Sequence, residues 1–103
     1  MTGRDPMRLG VIYNVLLPWD NGGIHAGERF MSEAFQQAGY QTSMIGEWHL
    51  GHAQQQFTPL ERGFDEFYGH LHTEVGYWPP FSMVGGKDFQ HNGVSIDEQG
   101  YET

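Results

Sequence analysis

The stretch Gly39-Tyr40-Gln41-Thr42-Ser43-Met44-Ile45-Gly46-Glu47-Trp48-His49-Leu50-Gly51 decides how this chain is read. It opens as a helix stop, because Gly39 can take the left-handed conformation that ends a helix. Thr42, Met44 and Ile45 then form a β-prone run that predicts a short buried strand. Gly46 lets the backbone turn, and Glu47, Trp48 and His49 emerge where the strand ends. In open α/β sheets, ligands bind beyond the carboxyl ends of the strands. The stretch therefore places a carboxylate, an indole and an imidazole where a site belongs.

Upstream lies the clearest helical pattern, Gly27–Ala38. Phe30, Met31, Ala34, Phe35 and Ala38 recur on one face at the 3.6-residue period. Glu28, near its start, suits the helix dipole. Helix and strand together make half of a βαβ unit, with no obvious parallel partner for the strand downstream. Further out, residues 1–10 read as a loop or short helix, and Val11–Leu17 as a strand or buried loop. Pro18-Trp19-Asp20-Asn21-Gly22-Gly23 is turn chemistry. On the other side, His52–Arg62 reads as a polar surface loop, and Gly63–Gly69 as an aromatic turn or short helix. His70–Gly86, with Pro79-Pro80, is expected to be irregular. Asp88–Ile96 predicts a hairpin, because Asn92-Gly93 suits a two-residue turn between strands.

The totals limit what the fold can be. The chain has 103 residues, 15 of them glycine, which allows one small domain spanning 1–103 with a thin core. Leu, Ile, Val and Phe make up about a fifth of the chain, close to the level at which charged chains stop folding. Aromatic rings must therefore carry much of the packing. Net charge is −8, with Lys87 the single lysine, so a nucleic-acid partner is not expected. An anionic membrane surface is disfavoured for the same reason. No apolar run approaches the roughly 20 residues of a membrane span, and no signal peptide is read at the start. Cysteine is absent, which excludes thiol chemistry and disulfides but does not identify a compartment.

Several pieces, in order, resemble the sulfatase family, the arylsulfatases in particular. Met1-Thr2-Gly3-Arg4 is similar to the tail of that family's first signature. Gly39–Gly51 resembles its second, which runs from a Gly-Tyr pair through a strand to Gly-Lys-Trp-His-Leu-Gly. Arg62-Gly63-Phe64-Asp65 and Phe67-Tyr68-Gly69 resemble the segment that follows, and Asn92-Gly93 with Gly100-Tyr101-Glu102-Thr103 resembles a later hairpin. The resemblance implies a partial alkaline-phosphatase-like α/β fold, with one helix, a short buried strand and a C-terminal hairpin. It also implies sulfuric ester hydrolysis by a formylglycine nucleophile beside a calcium ion.

The family makes its nucleophile from Cys or Ser in a Cys/Ser-x-Pro-Ser-Arg motif, which this sequence does not contain. The expectation is an internal fragment that begins after the nucleophile motif and ends before the second set of metal ligands. Such a fragment would carry no cofactor of its own and would be inactive alone, meeting a sulfate ester only when completed by other segments. The resemblance makes His49 the catalytic candidate and puts Glu47 and Trp48 in the substrate-binding turn. Glu47 stands where the family has lysine, and a carboxylate there repels sulfate.

Plain alternatives exist for each residue. His49 could be a histidine satisfied by backbone, Glu47 a solvated carboxylate, and Trp48, Phe64, Phe67 and Tyr68 core packing. His49 with His52, and His70 with His72, could bind metal adventitiously, but no metal site is assigned. The other function class is a non-catalytic module that self-associates through exposed sheet edges.

Overall fold

A computed structural model describes residues 1–11, 15–72 and 85–97. Four strands form one mixed sheet in the order β1-β2-β3-β4. They are β1 (Ser43–Glu47), β2 (Glu66–His70), β3 (Gln90–His91) and β4 (Val94–Ser95). β1 and β2 run parallel, in register from Ser43 opposite Glu66 to Glu47 opposite His70. The other two pairings are antiparallel.

The parallel partner that the sequence did not reveal is β2. Gly63–Gly69, expected as a turn or short helix, turns at Gly63 and then extends. Phe67 points into the core, and Tyr68 packs its ring against Phe89 and His91. The aromatic group is thus split by strand alternation. Gly69 is required where it stands, because a Cβ there would lie 2.0 Å from the Gly46 carbonyl oxygen. The start of the pair is tied by Asp65, which accepts from the Thr42 amide and from Gln36 Nε2, both at 2.8 Å. These bonds favour the ionised carboxyl and hold its pKa below the ordinary 3.8, the Thr42 backbone bond being the largest cause.

α1 (Met31–Gln37) is shorter than the predicted Gly27–Ala38. Phe30 is its N-cap and is buried, and Glu33 reaches back to the Phe30 amide. Glu28 lies before the helix and pairs with Arg4 at 2.6 Å. The predicted apolar face is only partly used: Phe30 enters the core, while Met31 and Phe35 stay exposed. β1 is likewise one-sided. Met44 packs on the core, but Ile45 is 80% exposed, because among the described residues β1 is the edge of the sheet and none covers its outer face.

The core is Ile24, Phe30, Trp48 and Phe67, with Leu9, Val11, Met44, Leu50, Phe64 and Leu71 packed around it. The Trp48 ring lies 5.7 Å from Phe30 and 6.2 Å, edge-on, from Phe64.

His52–Arg62 contains two 3₁₀ turns, Gln55–Phe57 and Pro59–Arg62. Its last residue is not on the surface: Arg62 is 2% exposed, with its guanidinium 4.2 Å over the Phe30 ring. It donates to the carbonyl oxygens of Glu28 at 2.7 Å, Ala26 at 3.2 Å and His25 at 3.4 Å. Residues 1–10 include a 3₁₀ turn at Pro6–Leu9. The hairpin forms as read, with Asn92 and Gly93 both at positive φ, 50° and 82°. The centre of the Val11–Leu17 run, most of His70–Gly86 and the Gly100–Thr103 end lie outside the described residues.

Candidate functional site at the carboxyl end of the parallel strands

Beyond β1 the backbone keeps following β2. The Trp48 amide donates to His70 O at 2.9 Å and the His49 amide to Leu71 O at 3.0 Å. Gly51 then pairs with Gly23, and the Ile24 amide donates to Leu50 O at 3.0 Å. Gly51, at φ 130°, admits no side chain, because a Cβ would meet Phe57 Cβ at 2.7 Å and Gly23 Cα at 2.8 Å. The loop is therefore closed tightly over the end of the sheet, and it carries all three candidate residues.

The three have different fates. Trp48 is 3% exposed, and its indole N–H donates to Gly51 O at 3.0 Å and Phe57 O at 2.8 Å. A ring packed on Phe30 and Phe64 with its one donor satisfied has no face to offer a substrate. The geometry supports core packing for Trp48 over the substrate-binding role.

Glu47 and His49 meet. His49 Nδ1 lies 2.9 Å from Glu47 Oε1, and its Nε2 lies 2.8 Å from Leu16 O. Both ring nitrogens thus lie within hydrogen-bond distance of an oxygen, and the tautomer sets which of them donates. His49 also sits at φ 54°, a conformation rare outside glycine. Glu47 is not a free surface carboxylate; it is His49's partner.

Three more residues surround this pair, and sequence reasoning did not bring them together. The spacings noted in the sequence were His49 with His52, on one face if helical, and His70 with His72, on one face if on a strand. The loop is not helical and β2 ends at His70, so neither spacing sits on one regular element, and His70 Nδ1 meets His72 through its carbonyl oxygen. His52 and His72 pair instead, ring centroids 4.0 Å apart. Asp88 accepts from the backbone amides of Leu71 and His72, at 3.2 and 2.7 Å. The pKa of His72 is lowered from its ordinary 6.5, first by burial, with His52, His49 and His70 adding to it and Asp88 opposing.

The cation that the resemblance implies does not suit these residues. Calcium takes six to eight oxygen ligands. Here the Glu47 carboxylate is engaged by His49 and that of Asp88 by two amides, and imidazoles make up the rest. Among the described residues, no three His, Asp or Glu side chains converge in a metal-binding arrangement.

The class that the described residues define is α/β: a mixed sheet beside one helix, with a Trp-His turn at the end of its first parallel strand. The sulfatase family model matches residues 1–85, and the chain belongs to that family. It is 43% identical to the arylsulfatase of Hemicentrotus pulcherrimus over 96 residues, covering 86% of this chain and 17% of that protein. It is 45% identical to arylsulfatase G of Rattus norvegicus over 69 residues, covering 67% and 13%. Against the human N-acetylgalactosamine-6-sulfatase it is 39% identical over 83 residues, covering 74% and 16%. The crystal structure of Ps i-CgsB superposes with a TM-score of 0.84 at 31% identity, over 98% of this chain and 26% of that one. The same protein has been solved with k-i-k-neocarrahexaose. The chain thus spans less than a fifth of the curated relatives it matches and about a quarter of the solved one. No helix among the described residues is long and apolar enough to cross a membrane.

Proposed function

We propose that this chain is the part of a sulfatase catalytic domain that carries the histidine end of the sulfate-ester site, and that it does not hydrolyse sulfate esters alone. The observation that carries this reading is the double tether of His49. With Nδ1 on Glu47 and Nε2 on Leu16 O, the ring acts neither as a base nor as a donor to an ester without giving up a bond. The sequence also contains no cysteine and no Ser-x-Pro-Ser-Arg run from which the family's nucleophile is made. The carboxylate of Glu47 opposes sulfate electrostatically. Alongside nucleophile and cation-binding segments of the kind the family uses, the same loop would place His49 at a sulfate ester; the family likeness is the basis for that substrate class.

The test is an aryl sulfate assay of the purified chain with added calcium. The expected result is no turnover above buffer. Turnover that His49→Ala abolishes would show that the chain is an enzyme as it stands.

A second reading is favoured by the exposed outer face of β1. Ile45 is nearly bare on an edge strand, and a parallel pair is ordinarily covered on both faces. On that reading a second copy pairs along β1. Light scattering decides: a dimer that Ile45→Lys dissolves supports it, and a stable monomer removes it.

A further inference from the structure

We propose that the His52–His72 pair is a pH-sensitive latch that holds the His49 loop against the end of β2 when both rings are neutral, and releases it in mild acid. It goes beyond the catalytic reading and does not depend on it.

The two rings come from opposite sides of the seam. His52 ends the loop that carries Trp48 and His49, and His72 lies two residues past β2. Their centroids are 4.0 Å apart with the ring planes at 60°. The loop side is anchored by His52 Nε2, which donates to Pro18 O at 3.2 Å. The strand side is anchored by Asp88, whose carboxylate takes the His72 and Leu71 amides. His72 Nδ1 is buried without a hydrogen-bond partner. It is a basic nitrogen kept from water, and a proton arriving there finds no acceptor. Contacts this close suit neutral imidazoles and not two cations, so protonation of the pair drives the rings apart.

Among the described residues, titratable groups face the pair from several elements, including Glu61 of the Pro59–Arg62 turn, which lines a pocket with His52. From the loop come His49 and, behind it, Glu47. From β2 comes His70, whose Nδ1 contacts His72 O. From the segment before β3 comes Asp88. Among the described residues Asp88 is the carboxylate acting on His72, and it favours the charged form; burial and the three histidines outweigh it. The bonds at risk are those that close the loop, His49 N to Leu71 O and Ile24 N to Leu50 O. Histidine is the side chain suited to this range of pH.

The experiment is amide hydrogen exchange on the whole chain at about pH 7.5 and about pH 5, expressed as protection factors so that intrinsic rates cancel. The expected result is that protection at His49 and Ile24 falls about tenfold or more at the lower pH, one pKa unit being worth a factor of ten. His72→Phe keeps a ring that cannot charge, and should abolish the drop. His52→Phe should do the same from the loop side and serves if the first variant fails to fold. Equal protection at both pH values in the parent chain overturns the proposal. So does a drop that persists in either folded Phe variant, or one spread evenly over every amide. If neither variant folds, ring titration of the parent by NMR decides: His52 and His72 titrating independently overturn the latch, and coupled titration in step with the loss of protection supports it.

Discussion

Replacing Glu47 by lysine should turn the strand-end loop into a sulfate-binding site. In the parent chain Glu47 does two things against an anion: it presents a negative charge and it occupies Nδ1 of His49 at 2.9 Å. At about 4 Å and an effective dielectric near 20, one charge pair is worth about 4 kcal/mol. The Glu47 side chain is 43% exposed, so solvent screening leaves about a third of that, about 1–2 kcal/mol. Reversing the sign counts the interaction twice, which gives about 2–4 kcal/mol, or roughly thirty-fold to several-hundred-fold in affinity. Glu47→Gln removes the repulsion without adding attraction and should fall between. The assay is a sulfate titration followed on the His49 and Trp48 amides by NMR, at low ionic strength because salt screens the effect. The parent should show no saturable shift up to about 50 mM sulfate, while Glu47→Lys saturates in the low millimolar range. If parent and Glu47→Lys bind sulfate equally, the charge at this position does not govern the site and the reasoning fails.

Three further predictions concern the frame that holds the loop. Arg62→Ala removes three bonds from a buried guanidinium to backbone carbonyls and its contact with Phe30, and should cost about 3–5 kcal/mol in urea denaturation; a loss below about 0.5 kcal/mol would mean the cation is not a structural tie. Gly69→Ala drives a methyl into the Gly46 carbonyl and should separate β1 from β2, seen as lost amide protection at Trp48, whereas an unchanged protection pattern would show that the strands can move apart at no cost. Stability should fall with acid in two windows. The depressed pKa of His72 means the unfolded chain takes the proton first, so its share is complete above 6.5 and is lost as pH drops below that value. The depressed pKa of Asp65 places a second loss below 3.8, and Asp65→Asn should remove that one alone when melting temperature is followed against pH.

The parts of this fold that could be read from the sequence are those set by local chemistry. Asn92-Gly93 needs two residues at positive φ and has them, so the hairpin followed. Phe30 was legible as apolar, but its neighbours at helical spacing were read as buried too. Met31 and Phe35 are not, because periodicity reports which residues share a face and not whether anything packs against it. The parallel partner of β1 escaped for a related reason. Glu66–His70 carries two aromatics, a glycine and two polar residues, which alone suit a turn as well as a strand. What makes it a strand is the fit of Gly69 against Gly46, a contact between residues far apart in sequence. Of the site, His49 and Glu47 were both named, but their bond to each other and to Leu16 was not foreseen. His52 and His72 were each assigned a different partner.

That mispairing points to how the end of this sheet is built. Spacing rules join residues within one element, at i+2 on a strand or i+3 on a helix. Here His52 and His72 meet across the seam between the two segments that leave the parallel strands, and the seam is closed by backbone bonds continuing past Glu47 and His70. Trp48 makes the seam possible. With its ring in the core and its N–H on Gly51 and Phe57, it fixes the chain direction so that residue 47 and residue 49 face the same side of the loop. The identity of residue 47 then decides the chemistry. A lysine there would leave both Lys and His free to hold an anion, whereas glutamate closes on the histidine and fills the place. On this geometry the carboxylate of Glu47 closes on His49, whose other ring nitrogen lies on Leu16 O, and the loop holds itself shut.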